Sequence, residues 1–141
     1  MDNSVTINRD INFHAIEEAV LSLPQVKIET KHLFAPNQYA RTIAVPANTV
    51  ITGAKHLVDH LTIVSKGKIR IYDDQGNAVK DLKAGDVFVT KAGAQRAGLA
   101  IEDTTWTDIF STPETSIEKL EATLVENYHG QLQNEELKWL S

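Results

Sequence analysis

The chain has 141 residues, of which 42% are apolar and 23% charged, a composition typical of a globular protein. Its 14 Lys and Arg against 19 Asp and Glu give a net charge of −5, which argues against a general nucleic-acid binder. The absence of cysteine excludes disulfides, thiolate zinc sites, iron–sulfur clusters and thiol catalysis. Any metal site must therefore use carboxylates and the histidines, which are His14, His32, His56, His60 and His129.

The length suits one domain, which we predict over residues 1–141. No apolar run approaches the ~18 residues of a transmembrane helix. The first residues, Met1 to Ser4, lack the basic start and apolar core of a signal peptide. We therefore expect a cytoplasmic protein that has neither a membrane nor nucleic acid as a partner.

The first predicted element is a short amphipathic helix that ends at Pro24. Its apolar residues recur at helical spacing and are Phe13, Ile16, Val20 and Leu23. From about residue 26 to 111 the pattern changes to short alternating segments separated by turn residues, which predicts an antiparallel β-sandwich or barrel. The predicted strands are residues 39–45, 50–52, 61–64, 68–72, 79–82, 87–90, 99–101 and 104–110.

Helical periodicity returns at about residues 113–129. An apolar stripe runs along this predicted helix and comprises Ile117, Leu120, Leu124 and Tyr128. Thr115 and Glu118 have the spacing of a capping box, which predicts where the helix begins. Beyond the helix lies an apolar tail that contains Leu137, Trp139 and Leu140. We expect these side chains to pack against another surface.

Two glycine-bounded stretches carry a resemblance to a known superfamily. The first runs from Gly53 to Gly67 as GAKHLVDHLTIVSKG, and the second runs from Gly85 to Gly93 as GDVFVTKAG. They resemble the two sequence motifs of the cupin superfamily. The resemblance implies an all-β fold, a single cupin-type (jelly-roll, RmlC-like) β-barrel, here with a short N-terminal helix and a C-terminal helix.

The ligand positions of the cupin motifs are only partly kept. Aligned on Gly67, the second histidine position falls on His56 and the glutamate position falls on His60. The first histidine position holds Ala54, and the histidine of the second motif is replaced by Arg96. The resemblance thus leaves His56 and His60 as candidate ligands of a divalent metal such as Zn, Fe, Mn or Ni.

A third metal ligand is not fixed by the motifs. Asp108 and Glu102 are the alternatives, since either would come from a neighbouring strand. Asp59 alternates away from His60 along the strand and is expected to face outward.

A closer resemblance is to the small cupin-like proteins encoded in tailed-phage genomes. It spans about residues 30–120 and is carried by the runs FAPNQYAR (34–41), HLTIVSKG (60–67), GAQRAG (93–98) and EDTTWT (102–107). The resemblance implies a phage or prophage source and, with it, the host cytoplasm. Those proteins often hold histidine where this chain has Val58 and Phe110, which weakens the metal interpretation. The resemblance implies no agreed activity.

Two arginines are candidates for binding an anion. Arg41 shares a predicted strand face with Tyr39, and Arg96 occupies a cupin ligand position. Guanidinium groups suit carboxylate and phosphate, and a buried arginine needs a partner or a ligand. In this interpretation His56 and His60 donate hydrogen bonds, and Tyr39 or Trp106 covers a planar face of the ligand.

The alternative is structural. The two arginines would pair with carboxylates of the barrel, which are Asp86, Asp103 and Asp108, and the two aromatic residues would belong to the core.

The first predicted function is non-catalytic binding of a small anionic or nucleotide-like ligand in the barrel, such as a host signalling molecule that a phage sequesters. A metal-dependent enzyme of dioxygenase, isomerase or epimerase type, using His56 and His60, is the second. A structural or interaction module of the virion or of host takeover is the third. The resemblance to small cupins, which often self-associate through sheet faces and terminal segments, also implies a homodimer or a larger homo-oligomer, and two-fold assemblies are common in general.

Overall fold

The computed structural model describes residues 18–73 and 76–125. Nine strands and a C-terminal helix lie in this part of the chain. The strands are β1 (Glu29–Ala35), β2 (Gln38–Val45), β3 (Val50–Thr52), β4 (His60–Lys66), β5 (Lys68–Tyr72), β6 (Ala78–Lys83), β7 (Val87–Thr90), β8 (Ala97–Ala100) and β9 (Thr104–Ser111), and the helix is Ile117–Leu124.

The strands form two antiparallel sheets whose inner faces enclose the core. Sheet A has five strands in the order β1-β2-β9-β4-β7, and sheet B has four in the order β3-β8-β5-β6. Both inner faces are rich in β-branched residues, which pack well on a pleated surface. The buried cluster comprises Ile28, Ile43, Val45, Ile51, Val64, Ile69, Ile71, Leu82 and Ala100. This arrangement confirms the all-β barrel predicted from the alternating segments.

Strand β2 shows how the sequence pattern selects the inner face. Its residues alternate strictly between buried and partly exposed, so that Tyr39, Arg41, Ile43 and Val45 all point inward. Tyr39 and Arg41 thus share one strand face, as predicted, and that face is the inner one. It carries a charged residue into the barrel at Arg41, which is only 9% exposed.

The turn between β4 and β5 brings two backbone segments into contact. Gly67 has a φ of +84°, a conformation that glycine adopts without strain. A Cβ atom at this position would overlap the backbone carbonyl of Asp103. The turn therefore requires glycine both for its backbone conformation and for the close approach to the segment before β9.

The ends of the chain agree in part with the sequence analysis. Residues 18–21 are helical, as predicted, whereas Phe13, Ile16 and the apolar tail lie outside the described residues. Strand β1 was not predicted. Neither of the two described helical segments is long and apolar enough to cross a membrane.

The C-terminal helix is shorter than the predicted 113–129, since it begins at Ile117 and Val125 is already extended. The N-cap is Ser116, whose Oγ accepts a hydrogen bond from the backbone N–H of Lys119 at 3.4 Å. The carboxylate of Glu114 accepts hydrogen bonds from the backbone N–H groups of Thr115 and Ser116. Because Thr115 is engaged in this way ahead of the helix, the capping box with Glu118 does not form.

Candidate metal and anion site

Three potential metal-ligating residues meet inside one end of the barrel. One ligand atom from each of His56, His60 and Asp108 lies within 4.8 Å of the others. His60 is the first residue of β4, and Asp108 lies on the neighbouring strand β9. Asp108 is thus the third donor, one of the two alternatives from the sequence. The other, Glu102, is exposed in the turn before β9.

His56 comes from the loop between β3 and β4. Its backbone N–H donates to the carbonyl of Ala94 at 3.0 Å, and its carbonyl accepts from the N–H of Gly93 at 2.7 Å. These bonds fix the loop against the β7–β8 connection. The imidazole of His56 consequently lies beside that of His60, with ring centroids 4.6 Å apart.

The carboxylate of Asp108 is buried and held by several donors. Its Oδ1 atom accepts hydrogen bonds from Thr62 Oγ1 at 2.8 Å and Trp106 Nε1 at 3.2 Å, and lies 3.1 Å from His60 Nε2. Burial alone would raise the pKa of Asp108, but contacts with His60, His56 and Thr62 outweigh it and lower the pKa. The group is therefore an anion inside the barrel.

A chain of hydroxyl groups connects this carboxylate to Arg96. Thr62 Oγ1 lies 2.6 Å from Thr90 Oγ1, which in turn accepts from Arg96 Nη2 at 3.3 Å. Each hydroxyl has one proton to donate. Because Thr62 donates its proton to Asp108, Thr90 must donate to Thr62, and the chain has a single direction from Arg96 to Asp108.

Both ring nitrogens of His60 face oxygen acceptors. Nδ1 lies 3.1 Å from the backbone carbonyl of Val58, and Nε2 lies 3.1 Å from Asp108 Oδ1. A neutral imidazole has one N–H and satisfies only one of these contacts. The geometry fits either a doubly protonated ring paired with the carboxylate, or a neutral ring that would hold a cation together with Asp108.

His56 carries a buried nitrogen without a partner. Among the described residues, its Nδ1 atom makes no hydrogen bond. Burial lowers the pKa of His56 to about 4, and the positive charges of Arg96 and Arg41 act in the same direction against the opposing charge of Asp108. At neutral pH the ring is uncharged, so one of its nitrogens has a lone pair available for a metal.

Both candidate arginines lie close to this cluster. Arg96 is half-buried, with its guanidinium 5.9 Å from the ring centroid of Phe88. Arg41 is buried on β2, directly opposite Asp108 on β9. Asp86 and Asp103 were the other carboxylates considered as partners of the arginines. Each accepts a hydrogen bond from a backbone N–H group outside this cluster, Asp86 from Lys83 and Asp103 from Ala47.

A cavity of about 50 Å³ opens beside the cluster. Its polar end is formed by His56, Thr90, Arg96 and Asp108, and the rest of its wall is mostly apolar and includes Ile43, Ile51, Ile69, Ile71 and Trp106. Pockets for drug-sized ligands measure roughly 300–1,000 Å³. The volume therefore suits a small anion, with or without a metal ion, better than a nucleotide.

The predicted aromatic residues have different environments. Trp106 is half-buried, lines the cavity and donates to Asp108. Tyr39 is 2% exposed and stacks on Phe34, His32 and Phe110. It does not line the first cavity but lines a second one of about 30 Å³, between the site and the C-terminal helix. Tyr39 therefore belongs to the aromatic core at the barrel mouth.

The remaining predicted positions are accounted for as follows. Asp59 is exposed as expected, and accepts a hydrogen bond from the backbone N–H of Ala92 at 2.7 Å. His14 and His129 lie outside the described residues. The sequence analysis missed Thr62 and Thr90, because a threonine on a strand is ordinary and only the pairing of strands shows what its hydroxyl faces.

No protein-family model and no curated protein matches the sequence. Solved structures do match. A protein with a double-stranded β-helix domain from Klebsiella pneumoniae is 14% identical with a TM-score of 0.54, covering 70% of this chain and 84% of its own. A cupin superfamily protein from Desulfitobacterium hafniense is 14% identical with a TM-score of 0.52, covering 64% and 82%. KdgF from a Halomonas species is 20% identical with a TM-score of 0.51, covering 68% and 91%.

These likenesses concern the fold, since every identity is low. The matched proteins have the double-stranded β-barrel that the two glycine-bounded motifs implied. The chain therefore has the cupin fold.

Proposed function

We propose that the barrel binds a divalent transition-metal ion through His56, His60 and Asp108, and that Arg96 binds a small carboxylate or similar anion beside it. The observation that carries the proposal is the ring of His60, whose two nitrogens both face oxygen acceptors. A metal ion held by His60 and Asp108 would remove the conflict that a neutral ring has, which is the second of the two arrangements described above. His56 would provide the third donor, since one of its ring nitrogens lies within 4.8 Å of the ligand atoms of His60 and Asp108. Its Nδ1 atom also has no hydrogen-bond partner among the described residues.

The donor set suits such an ion chemically. Two imidazoles and a carboxylate are typical ligands of Zn²⁺, Fe²⁺, Ni²⁺ and Mn²⁺. Ligating histidines usually donate their second N–H to a carbonyl, as His60 is placed to do with Val58. Ligating carboxylates are themselves hydrogen-bonded, as Asp108 is by Thr62 and Trp106. When bound, the metal would supply a Lewis-acidic centre in the cavity.

Arg96 supports the anionic ligand. Its guanidinium has five N–H donors, and within the described residues its hydrogen bond is to Thr90. Burial lowers its pKa from the ordinary value, yet arginine stays protonated in proteins. A half-buried cation that lines a cavity attracts an anion, and the small volume limits that anion to a few heavy atoms.

The finer roles expected from the phage resemblance, including the sequestering of a host signalling molecule, stay predictions. The enzyme alternative uses the same donors, so the same first experiment applies to it. Binding alone is what the geometry of the cluster and the cavity supports.

The metal is tested on protein purified without an affinity tag, by elemental analysis and by titration calorimetry with Zn²⁺, Ni²⁺ and Mn²⁺. We expect one ion per chain and a loss of thermal stability on chelation. His60→Ala and Asp108→Asn should each weaken binding by about a hundredfold or more, since altering even the residues that support ligands costs 10–100-fold. His32→Ala and Asp59→Asn are matched controls outside the cluster and should bind normally. Equal affinity in all four variants would refute the site.

The anion is tested by thermal shift of the metal-loaded protein with acetate, oxalate and bicarbonate. A bound anion at a hundredfold excess over its Kd stabilises the fold by about 2.7 kcal/mol. Arg96→Met should abolish this stabilisation, whereas Lys91→Met, an exposed cation in the same β7–β8 connection, should keep it. An equal shift in both variants would remove Arg96 from the proposal and leave the metal site standing.

A further inference from the structure

The outer face of sheet A carries an apolar row that crosses every strand of the sheet. Strand register places Leu33 opposite Ala40, Ala40 opposite Ile109, Ile109 opposite Leu61 and Leu61 opposite Val89. Side chains directly opposite each other on one face lie close enough to touch. The row is therefore a continuous apolar band from β1 to β7.

This band is open to solvent in the described part of the chain. Leu33, Leu61 and Val89 are 65%, 46% and 50% exposed. A second row begins beside it with Val87, which is 60% exposed, opposite Ile63. A contiguous exposed apolar surface of this kind marks a place where something binds.

The described chain ends next to this band. Val125 pairs with His56, and the carbonyl of Leu124 accepts a hydrogen bond from the N–H of Leu57 at 2.9 Å. Leu57 and Val58 are exposed and precede strand β4, which contributes Leu61 to the band. The segment that follows Val125 therefore starts at the rim of the barrel close to Leu61.

That segment, residues 126–141, contains the apolar tail that needs a surface. Sixteen extended residues reach up to about 50 Å, whereas the five strands span only about 20 Å. We propose that residues 131–141 cover the outer face of sheet A, with Leu137, Trp139 and Leu140 on the apolar band. This inference does not depend on the proposed metal and anion site.

Two considerations favour the tail over a second copy of the protein. A tail tethered at the rim has a high effective concentration at the band, so even a modest contact is populated. A second copy stacked on the same face would cover the band but would still leave the apolar residues of the tail in water. Only the tail satisfies both apolar surfaces.

Trp139 reports directly on its own burial. The chain has two tryptophans, so Trp106→Phe leaves Trp139 as the sole tryptophan, which can be excited selectively over the three tyrosines. We expect its emission at a shorter wavelength than in urea-unfolded protein. Adding Leu61→Glu and Val89→Glu should move the emission to the unfolded wavelength. Val79→Glu places one such charge on an exposed position of sheet B and should not move it.

Other outcomes would overturn the inference. Emission already at the unfolded wavelength, or insensitive to the charges on the band, means that the tail lies elsewhere. Light scattering could instead show a dimer that Leu61→Glu and Val89→Glu dissociate, while the emission wavelength of Trp139 does not change. That result would assign the band to a second copy of the protein. Should Trp106→Phe fail to fold, the difference between the spectra of the wild type and Trp139→Phe gives the same reading.

Discussion

Replacing Thr62 by valine tests whether the hydroxyl chain holds the candidate site together. Thr62 is fully buried, donates to Asp108 at 2.8 Å and accepts from Thr90 at 2.6 Å. Valine has nearly the same shape, so the substitution removes the hydroxyl without leaving a large cavity. The buried carboxylate of Asp108 thereby loses one hydrogen-bond donor, and the hydroxyl of Thr90 loses its acceptor.

The cost follows from the groups left without partners. A buried polar group that loses its partner costs about 1–3 kcal/mol, and more when the group is charged. Thr90 keeps its contact with Arg96, and Asp108 keeps those with Trp106 and His60, so both groups are only partly deprived. We therefore expect the free energy of unfolding to fall by about 2–4 kcal/mol. Metal affinity should fall by about 10–100-fold, because the carboxylate loses a supporting hydrogen bond.

The assay is urea unfolding followed by circular dichroism, with Thr30→Val as the matched control. Thr30 lies on β1 of sheet A, and its buried Oγ1 atom has no hydrogen-bond partner among the described residues. Removing that hydroxyl breaks nothing, so Thr30→Val should be neutral or slightly stabilising. A difference between the two variants of less than about 0.5 kcal/mol would refute the reasoning, since it would mean that the hydroxyl of Thr62 contributes nothing.

Two other substitutions test the fold. Gly67→Ala should lower the free energy of unfolding by about 1–3 kcal/mol more than Gly85→Ala does, measured by urea unfolding. Both glycines have positive φ, but only at Gly67 would the new Cβ overlap the Asp103 carbonyl. Tyr39→Phe should cost about 1 kcal/mol near pH 8, since the Tyr39 hydroxyl lies 2.7 Å from His32 Nδ1. Because burial raises the pKa of Tyr39 from 10.0 to about 12, the wild type loses this group's stabilisation as pH rises from 10 to 12, and the variant should lack that loss in a pH series of melting temperatures.

Some of the barrel strands were predictable because an apolar inward face alternates with polar positions. Strand β5 illustrates this, with Ile69 and Ile71 buried and Lys68 and Arg70 partly exposed. Strand β1 lacks the signal, since it lies at the edge of sheet A with only Thr30 and His32 partly buried. An edge strand is defined by its hydrogen-bonding partner more than by its own alternation. Strand β1 forms because it pairs with β2, and that pairing is not visible in the local sequence pattern.

The site was predictable only where a motif marks it. His56 and His60 lie in the glycine-bounded stretch and could be selected from the sequence. Asp108 stayed one of two alternatives, because its place beside His60 depends on the pairing of β4 with β9, strands more than forty residues apart. That pairing sets Thr62 directly opposite Asp108. Long-range register of this kind is decided by the packed barrel, not by neighbouring residues.

In the proposed metal site some of the ligands come from positions other than those of the cupin motifs. The loss of motif histidines is therefore compatible with metal binding in this barrel. His60 fills the glutamate position of the motif, and a carboxylate returns from a different strand as Asp108, which keeps a mixed nitrogen and oxygen set. Arg96 stands at the histidine position of the second cupin motif. Phe110 stands where the resembled phage proteins often hold histidine, and its ring centroid lies 4.2 Å from that of His60. Three protein donors are fewer than a closed metal site uses, so a metal bound here keeps room for a further ligand. In the proposed function Arg96, which lines the same cavity, supplies the positive charge that binds the anion.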